Sequence, residues 1–421
     1  MRLIHAALAA SLFLCLLIGC NQQRPVYYQI KSQFDVSDPQ FAQTMGNLLG
    51  PSLISGNTIK TLVNGDETFG DMLGAIHSAT KTIDFETYVY WSGTIGREFA
   101  DAFCERAKAG VQVHVLIDWF GSEQIDPNYI KQMRSCGCEV HEYHAFHPLD
   151  PASWGQIDHR THRKILVVDG RIGFTGGVGI ADEWRGNADA PDHWRDSHYH
   201  IEGPVVSQLQ GVFMDNWMQS TGRVLQGNDY FPKQPNDGKA FAQVFKSSSL
   251  GGSENIQLMV LLSIAAAGQN IRLESAYFVP DKLTVSALIA ARKRDVRVEI
   301  IVPGGKIDEH VVRQASRARW GDLLKSGVEI YEYQPTMFHC KQMIIDNRWV
   351  SIGSANMDNR SFRLNDEANL NVLDEDFAAD QIHLFEEDKQ RSHRVTYEAW
   401  VHRPLGEKIS NHLSSLLSWE L

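Results

Sequence analysis

The chain has 421 residues, 43% of them hydrophobic and 22% charged, with a formal net charge of −11. That length exceeds one ordinary core and suffices for two, in a composition typical of soluble globular structure. The negative balance excludes a sequence-independent grip on DNA or RNA, which needs a basic face, yet leaves room for a small basic pocket around one phosphate.

At the N-terminus, Met1 and Arg2 precede an apolar run from about Ala6 to Gly19, ending Leu17-Ile18-Gly19-Cys20. The run is shorter than the roughly 20 residues a membrane span requires. It reads as a signal peptide over residues 1–20, with an uncleaved anchor as the alternative. A small residue before cysteine resembles a bacterial lipobox, which implies lipidation of Cys20 and export. The product is then a lipoprotein anchored to the cell envelope by acyl chains and facing the periplasm. Asn21 stands where inner-membrane lipoproteins usually carry aspartate, which leans toward the outer membrane. Residues 21–50 read as an irregular linker. Export permits a disulfide from Cys104 to Cys136 or Cys138. Buried free thiols are the alternative there and at Cys340. No Cys/His spacing matches a structural zinc site.

From residue 51 one pattern occurs twice, over 51–235 and 236–421. In the first half a strand-like run, Thr82–Tyr90, is followed by a helical stretch, Gly96–Gly110, and by runs at Val111–Ile117 and Glu139–Tyr143. In the second half Asn270–Phe278, Leu283–Arg294, Val296–Val302 and Val328–Tyr333 take the same places. Strands rich in β-branched residues alternating with helices predict an α/β fold. It should comprise two pseudo-twofold α-β-α lobes with mixed, largely parallel sheets and an active site between them.

Each half closes on one signature. His162-Arg163-Lys164 runs on to Asp169, with Gly176-Gly177 seven residues beyond; His339-Cys340-Lys341 runs on to Asp346, with Gly353-Ser354 at the same distance. A single H-x-K-x4-D match in a chain this long has odds of roughly one in twenty; two at equivalent places in a repeat are far rarer. On an extended strand each histidine and its lysine share a face, because side chains alternate with period two. If the lobes face each other, two imidazoles and two ammonium groups converge. One imidazole can attack phosphorus and the other can exchange protons with leaving and entering groups. The lysines offset charge on the non-bridging oxygens, so no metal or other cofactor is required. An unperturbed imidazole titrates near 6.5, so one neutral and one protonated ring are expected near neutral pH. Seven residues past the histidine, Asp169 and Asp346 fall on the opposite strand face and read as structural.

With these motifs the chain resembles the phospholipase D superfamily and, within it, the bacterial cardiolipin synthases. The similarity extends over most of residues 58–421. It includes Trp194-Arg195-Asp196, Gly353-Ser354-Ala355-Asn356-Met357-Asp358-Asn359-Arg360-Ser361-Phe362 and Leu364-Asn365-Asp366-Glu367. The resemblance implies a covalent phosphohistidine intermediate, with His162 as nucleophile and His339 as acid/base, an assignment open to reversal. It also implies a carboxylate from the opposite half for each ring, Glu367 for His162 and Asp196 for His339, and phosphate contacts at Asn356, Ser354 and Gly177. The wider superfamily often has asparagine where this chain has Gly179, so the halves are expected to bind phosphate unequally. The function implied is phosphatidyl transfer on a phosphatidylglycerol-like donor at a membrane surface. Hydrolysis to phosphatidic acid and a non-catalytic envelope lipid-binding lipoprotein are the alternatives.

Two further features bear on the site. Glu86 and Glu274 occupy matching apolar strands and call for partners, with the active-site lysines as candidates and an exposed strand face as the alternative. An insertion from about Ala145 to Arg160 carries Phe146, Leu149 and Trp154. It reads either as a lipid-resting segment, since Trp favours the membrane interface, or as a packed surface loop.

Overall fold

The computed structural model describes residues 27–248 and 254–416, so the apolar leader and Cys20 lie outside the described residues. Residues 27–30, which belong to an N-terminal unit, carry no regular structure; the second unit begins at Lys31. In the second unit, fifteen strands among the described residues form one continuous sheet. The first half contributes β1 (Ile54–Val63), β2 (Thr82–Thr87), β3 (Gln112–Asp118), β4 (Glu139–Tyr143), β5 (Ile165–Val168), β6 (Ile172–Gly176) and β7 (Ser197–Glu202). The second contributes β8 (Ala240–Ser247), β9 (Asn270–Ser275), β10 (Arg297–Pro303), β11 (Glu329–Tyr333), β12 (Lys341–Ile345), β13 (Trp349–Gly353), β14 (Glu367–Leu373) and β15 (Ser392–Val395). At the centre β1 and β8 pair antiparallel. Outward from them the order 1-7-6-5-2-3-4 is repeated as 8-14-13-12-9-10-11, with β15 added at the far edge.

The sheet is largely antiparallel, contrary to the expectation from sequence. Only β2–β3–β4 and β9–β10–β11, joined through helices, run parallel. The reason lies in the signature itself. After β5, Asp169 and Gly170 take φ of 52° and 63°; after β12, Asp346 and Asn347 take 50° and 56°. Two successive positive φ values make a type I′ turn, which sends the chain straight back as a hairpin. Both aspartates also cap the strand next door. Asp169 accepts from the backbone N–H groups of Thr80, Lys81 and Thr82, and Asp346 from those of Gly268, Gln269 and Asn270.

Three apolar clusters follow from strands buried on both faces. One lies within the first half, where Ile83, Phe85 and Leu166 meet Phe99 and Phe103 of helix Thr94–Lys108. One lies within the second half around Leu273, Ile300 and Met343. The third is shared, with Tyr199, Leu209, Phe213 and Trp217 packed against Ile344, Val350, Leu370 and Phe377. The two halves are therefore joined through a common core as well as through β1 and β8.

Part of the expected linker is ordered. Residues Pro39–Leu49 form a helix capped by Asp38, whose carboxylate accepts from the Gln40 N–H, with Pro39 at its first turn. Its residues Phe41, Met45 and Leu49, four apart, are buried in the second-half cluster. The ring of Phe41 meets that of Trp349 edge-on at 4.9 Å.

Cys104 is bonded to Cys136, with 5.2 Å between their Cα atoms, while Cys138 and Cys340 are buried free thiols. The bond closes a loop spanning 32 residues. Opening it, by reductant or by Cys104→Ser with Cys136→Ser, is expected to cost about 3–4 kcal/mol. Thermal unfolding with and without reductant measures this.

Candidate active site

His162 lies just ahead of β5 and His339 just ahead of β12, each at the mouth of the hairpin that its own signature dictates. All four motif side chains, His162, Lys164, His339 and Lys341, are buried. What brings the halves together is a pair of crossed backbone bridges. Thr161 pairs with Asp366, and Phe338 pairs with Arg195. The His162 N–H donates to the Asp366 carbonyl at 2.9 Å, and the His339 N–H to the Arg195 carbonyl at 2.7 Å. In both cases the residue before the histidine meets the residue before the opposite half's carboxylate. The side chains one step on must then face each other. His162 Nδ1 lies 3.0 Å from both oxygens of Glu367, and His339 Nδ1 lies 2.7 Å from Asp196 Oδ2. The crossed pairs implied by the resemblance are thus both present.

The carboxylates are held from behind. Glu367 accepts from the hydroxyls of Ser354 and Ser361, the latter at 2.7 Å. Asp196 accepts from Trp184 Nε1 at 2.9 Å and from the Ser197 N–H at 2.8 Å. Each lysine folds back on its own histidine. Lys164 Nζ donates to the His162 carbonyl at 2.8 Å, and Lys341 Nζ to the His339 carbonyl at 2.7 Å. Lys341 Nζ also stands 3.1 Å from both ring nitrogens of His339. Aromatic rings wall the site. Tyr88 lies 5.3 Å from the His162 ring, while Trp184 and Trp194 lie 5.2 and 5.5 Å from the His339 ring.

Burial dominates the electrostatics. It pulls His162 down to about 4, against the opposing pull of Glu367 and with help from Lys164. Burial and then Lys341 pull His339 down as well. Burial, with Lys341 nearby, lowers Lys164 to about 7, and burial also lowers Lys341. Burial works to raise Glu367, but His162, Lys164 and Ser354 together outweigh it and hold the carboxyl down at about 2; His339 and Lys341 hold Asp196 low in the same way. The resting site therefore pairs two neutral rings with two carboxylates, rather than one neutral and one charged ring. In each ring Nδ1 donates to a carboxylate, which leaves the Nε2 lone pair unprotonated. The crossed contacts bring both motifs to the seam between the halves.

Other expected residues are placed differently. Gly177 and Ser354, expected at the phosphate, are engaged within the protein. Their N–H groups already donate, to Ser197 and Ala368, both at 3.0 Å, and the Ser354 hydroxyl is engaged by Glu367. Gly177 is glycine because a Cβ there would lie 2.2 Å from Asp196 Oδ1. Asn356 is buried with its side-chain oxygen unpaired. At its counterpart Gly179 an added Cβ would lie 2.9 Å from Val89 Cβ and 3.2 Å from the Trp184 ring, which leaves no space for a side chain.

Glu86 and Glu274 are buried, but the lysines are not their hydrogen-bond partners. Glu86 accepts from Thr161 at 2.5 Å and Asn216 at 2.7 Å. In antiparallel pairs opposite residues share a face, and Glu86 sits opposite Ile165, one step out of phase with Lys164. Glu274 sits opposite Gln342, likewise out of phase with Lys341. The insertion lies against the second half beside His162, where the Arg360 guanidinium donates to the Asp158 carbonyl at 3.1 Å. Within it Phe146 packs between Trp119 and Trp154, while Leu149 is fully exposed.

Several participants escaped the sequence reading. Trp184 and Ser361 carry no motif of their own, although Ser361 lies inside a matched stretch. The backbone bridges at Thr161 and Arg195 leave no pattern in the sequence, although Arg195 lies inside a matched stretch.

Comparison with known proteins accords with this geometry. The family model described as "Cardiolipin synthase, PLD-like domain" matches residues 72–190 and 260–389. Cardiolipin synthase A of Pseudomonas fluorescens is 34% identical over 371 residues, 86% of this chain and 76% of that protein. Cardiolipin synthase of a Geobacillus species is 35% identical over 378 residues, 89% of this chain and 74% of that one. The crystal structure of phosphatidylserine synthase from Haemophilus influenzae superimposes with a TM-score of 0.69, covering 91% of this chain and 99% of that one at 14% identity, a likeness of fold. With the family match falling on both halves and a doubled H-x-K motif meeting across them, the chain belongs to the cardiolipin synthase, phospholipase D-like family.

Proposed function

We propose that the chain is a phosphatidyltransferase that joins membrane phospholipids through a phosphatidyl-histidine at His162. The carrying observation is the pair of crossed histidine–carboxylate contacts, which leaves the Nε2 of each ring unprotonated in a buried site, with Lys341 beside that of His339. His162 Nε2 attacks the phosphorus of a phosphatidylglycerol-like donor. The P–O bond to the headgroup glycerol breaks, and the leaving alkoxide takes a proton from His339. A bound phosphodiester brings negative charge, which raises both imidazole pKa values and supplies His339 in its protonated form. His339 then removes a proton from the hydroxyl of a second phosphatidylglycerol-like lipid. That oxygen attacks phosphorus, the P–N bond breaks and His162 is released. Lys164 and Lys341 offset charge on the non-bridging oxygens, and Glu367 and Asp196 stabilise each ring while it is charged.

Purified protein with phosphatidylglycerol in detergent micelles tests the reading. Cardiolipin and glycerol in equal amounts are expected by lipid chromatography. Phosphatidic acid alone reassigns the site to hydrolysis, and no product from any phosphodiester overturns both. A non-catalytic role requires that His162→Ala leave the cellular phospholipids unchanged.

The pH dependence follows from the buried groups. Attack needs neutral His162, so kcat/KM is expected to fall as pH drops through about 4. Proton delivery to the leaving group needs protonated His339 and charge support needs protonated Lys164; burial lowers both, Lys164 to about 7, so kcat/KM is expected to fall again on the alkaline side. Lys164→Arg keeps the charge and should leave a single alkaline ionisation, that of His339, read from the pH profile.

We further assign the enzyme to the cell envelope, anchored through a lipidated Cys20. The Cys104–Cys136 bond supports an oxidising compartment. Intact mass of the membrane-extracted protein checks it, by a chain that starts at Cys20 and carries acyl groups.

A further inference from the structure

The helix Leu405–Ser415 is amphipathic the wrong way round for a soluble protein. Leu405, Ile409, Leu413 and Leu416 follow helical spacing on one face and are 72%, 53%, 59% and 61% exposed. The opposite face, turned toward the protein, is polar. The Glu407 carboxylate accepts from Arg317 Nε at 2.8 Å, the Ser414 hydroxyl donates to Gln314 at 2.7 Å, and Asn411 is buried. An ordinary surface helix buries its apolar stripe and hydrates its polar one. Here the fold spends the polar stripe on the helix His310–Lys325 and leaves the leucines outward.

The surroundings suit a phospholipid surface. Beside the stripe, Trp400, Arg403, Lys408 and His412 line one cleft, with the Arg403 guanidinium 4.0 Å over the Trp400 ring. This basic, aromatic border stands on a chain whose net charge is −11, so the attraction for anionic headgroups is local. The helix also packs along the helix whose start borders the site. Contacts at Arg317 and then Gln314 carry it toward the start of helix His310–Lys325. Two residues before that start, Asp308 accepts from the Tyr277 hydroxyl at 2.5 Å, and the Tyr277 ring is 6.3 Å from that of His339. Val311, on the same turn, is exposed.

We infer that the outward face of helix Leu405–Ser415 docks in the plane of an anionic phospholipid bilayer and sets the site mouth against the lipid surface. The occupant is the bilayer, not a second copy of the chain or its own apolar leader. The docking of the helix stands on its own geometry; only the purpose of docking rests on the lipid-transfer reading.

Two experiments separate these. In the first, full-length protein carrying a photocrosslinking benzophenone side chain at Ile409 is reconstituted in vesicles of phosphatidylglycerol and phosphatidylethanolamine and irradiated. A lipid adduct at that position is expected by mass spectrometry. An adduct to a second copy or to residues 1–20, or no adduct, overturns the inference, whatever the enzyme's activity. In the second, Ile409→Asp with Leu413→Asp is assayed on phosphatidylglycerol in vesicles and on monomeric dihexanoyl phosphatidylglycerol. The ratio of vesicle to monomer activity is expected to fall roughly tenfold or more, and an unchanged ratio counts against docking. Failure of the wild-type chain on both substrates counts against the lipid-transfer reading and leaves the crosslink to decide docking.

Discussion

His162→Ala is expected to lower turnover by about 10⁴–10⁶-fold, with the protein still folded. The imidazole makes few structural contacts beyond Glu367, and that carboxylate keeps the hydroxyls of Ser354 and Ser361 when the ring is removed. His339→Ala should behave differently. With a donor whose leaving group needs no proton, the first half-reaction proceeds and the second stalls for want of a base, so a phosphatidyl-enzyme accumulates. Labelled donor, rapid quench and peptide mass mapping locate the label on His162. Label retained in His162→Ala, and absent from His339→Ala, reverses the two roles. Glu367→Gln should cost about 10²–10⁴-fold in kcat, because an amide cannot stabilise the charged ring that forms during attack.

Arg195→Leu is expected to destabilise the fold by about 3–5 kcal/mol, a fall of about 5 °C in melting temperature for a chain of this size. The Arg195 guanidinium is buried and donates to Asp388 from Nε at 3.1 Å, with Nη2 2.7 Å from the other Asp388 oxygen. Its Nη1 donates to the Asp196 carbonyl at 2.6 Å and to the Ser197 hydroxyl at 2.9 Å. Its backbone makes the bridge that seats His339. Leucine there strands Asp388 without its cation. Arg195→Leu with Asp388→Leu should recover part of the loss, since removing both partners costs less than removing one.

The first half solves the same problem with the charges exchanged. The middle residue of its motif is the buried Arg163, which donates to the Val212 carbonyl at 3.0 Å and to Asp215 at 3.2 Å, while Asp366 stands where the other bridge has Arg195. In the second half the middle residue is Cys340. Each basement thus holds one arginine, supplied by opposite strands of the crossed bridge, and each faces one of the matched glutamates, Glu86 or Glu274. Burial, then Asp388, raises Glu274 to about 8. The folded state therefore holds a proton that the unfolded chain has already released above about 4.5. This makes stability decline as pH rises from there through about 8. Glu274→Gln should flatten that decline, as thermal melts across pH 5–9 would register.

Much of this chemistry was legible in the residues. A doubled H-x-K-x4-D pattern at equivalent places in a repeat points to a duplicated lobe. Period-two alternation puts each lysine beside its histidine whatever the surrounding fold, and these local rules also marked Asp169 and Asp346 as structural. What local pattern cannot carry is direction and partnership. A short run of β-branched residues reads alike in a parallel or an antiparallel strand, so the sheet's antiparallel character emerged only with the type I′ turns. Residues 21–50 read as an irregular linker, yet burial of Phe41, Met45 and Leu49 holds residues 39–49 as a helix. Nor does local pattern show that the N–H groups of Gly177 and Ser354 donate within the protein, to Ser197 and Ala368. The sequence by itself determined which histidine and lysine stand together, because spacing along a strand dictates which side chains share a face. The tertiary structure alone decided which carboxylate meets which ring, how the buried arginines are exchanged and which face of the last helix turns outward, because these depend on contacts between residues 52 to 205 positions apart.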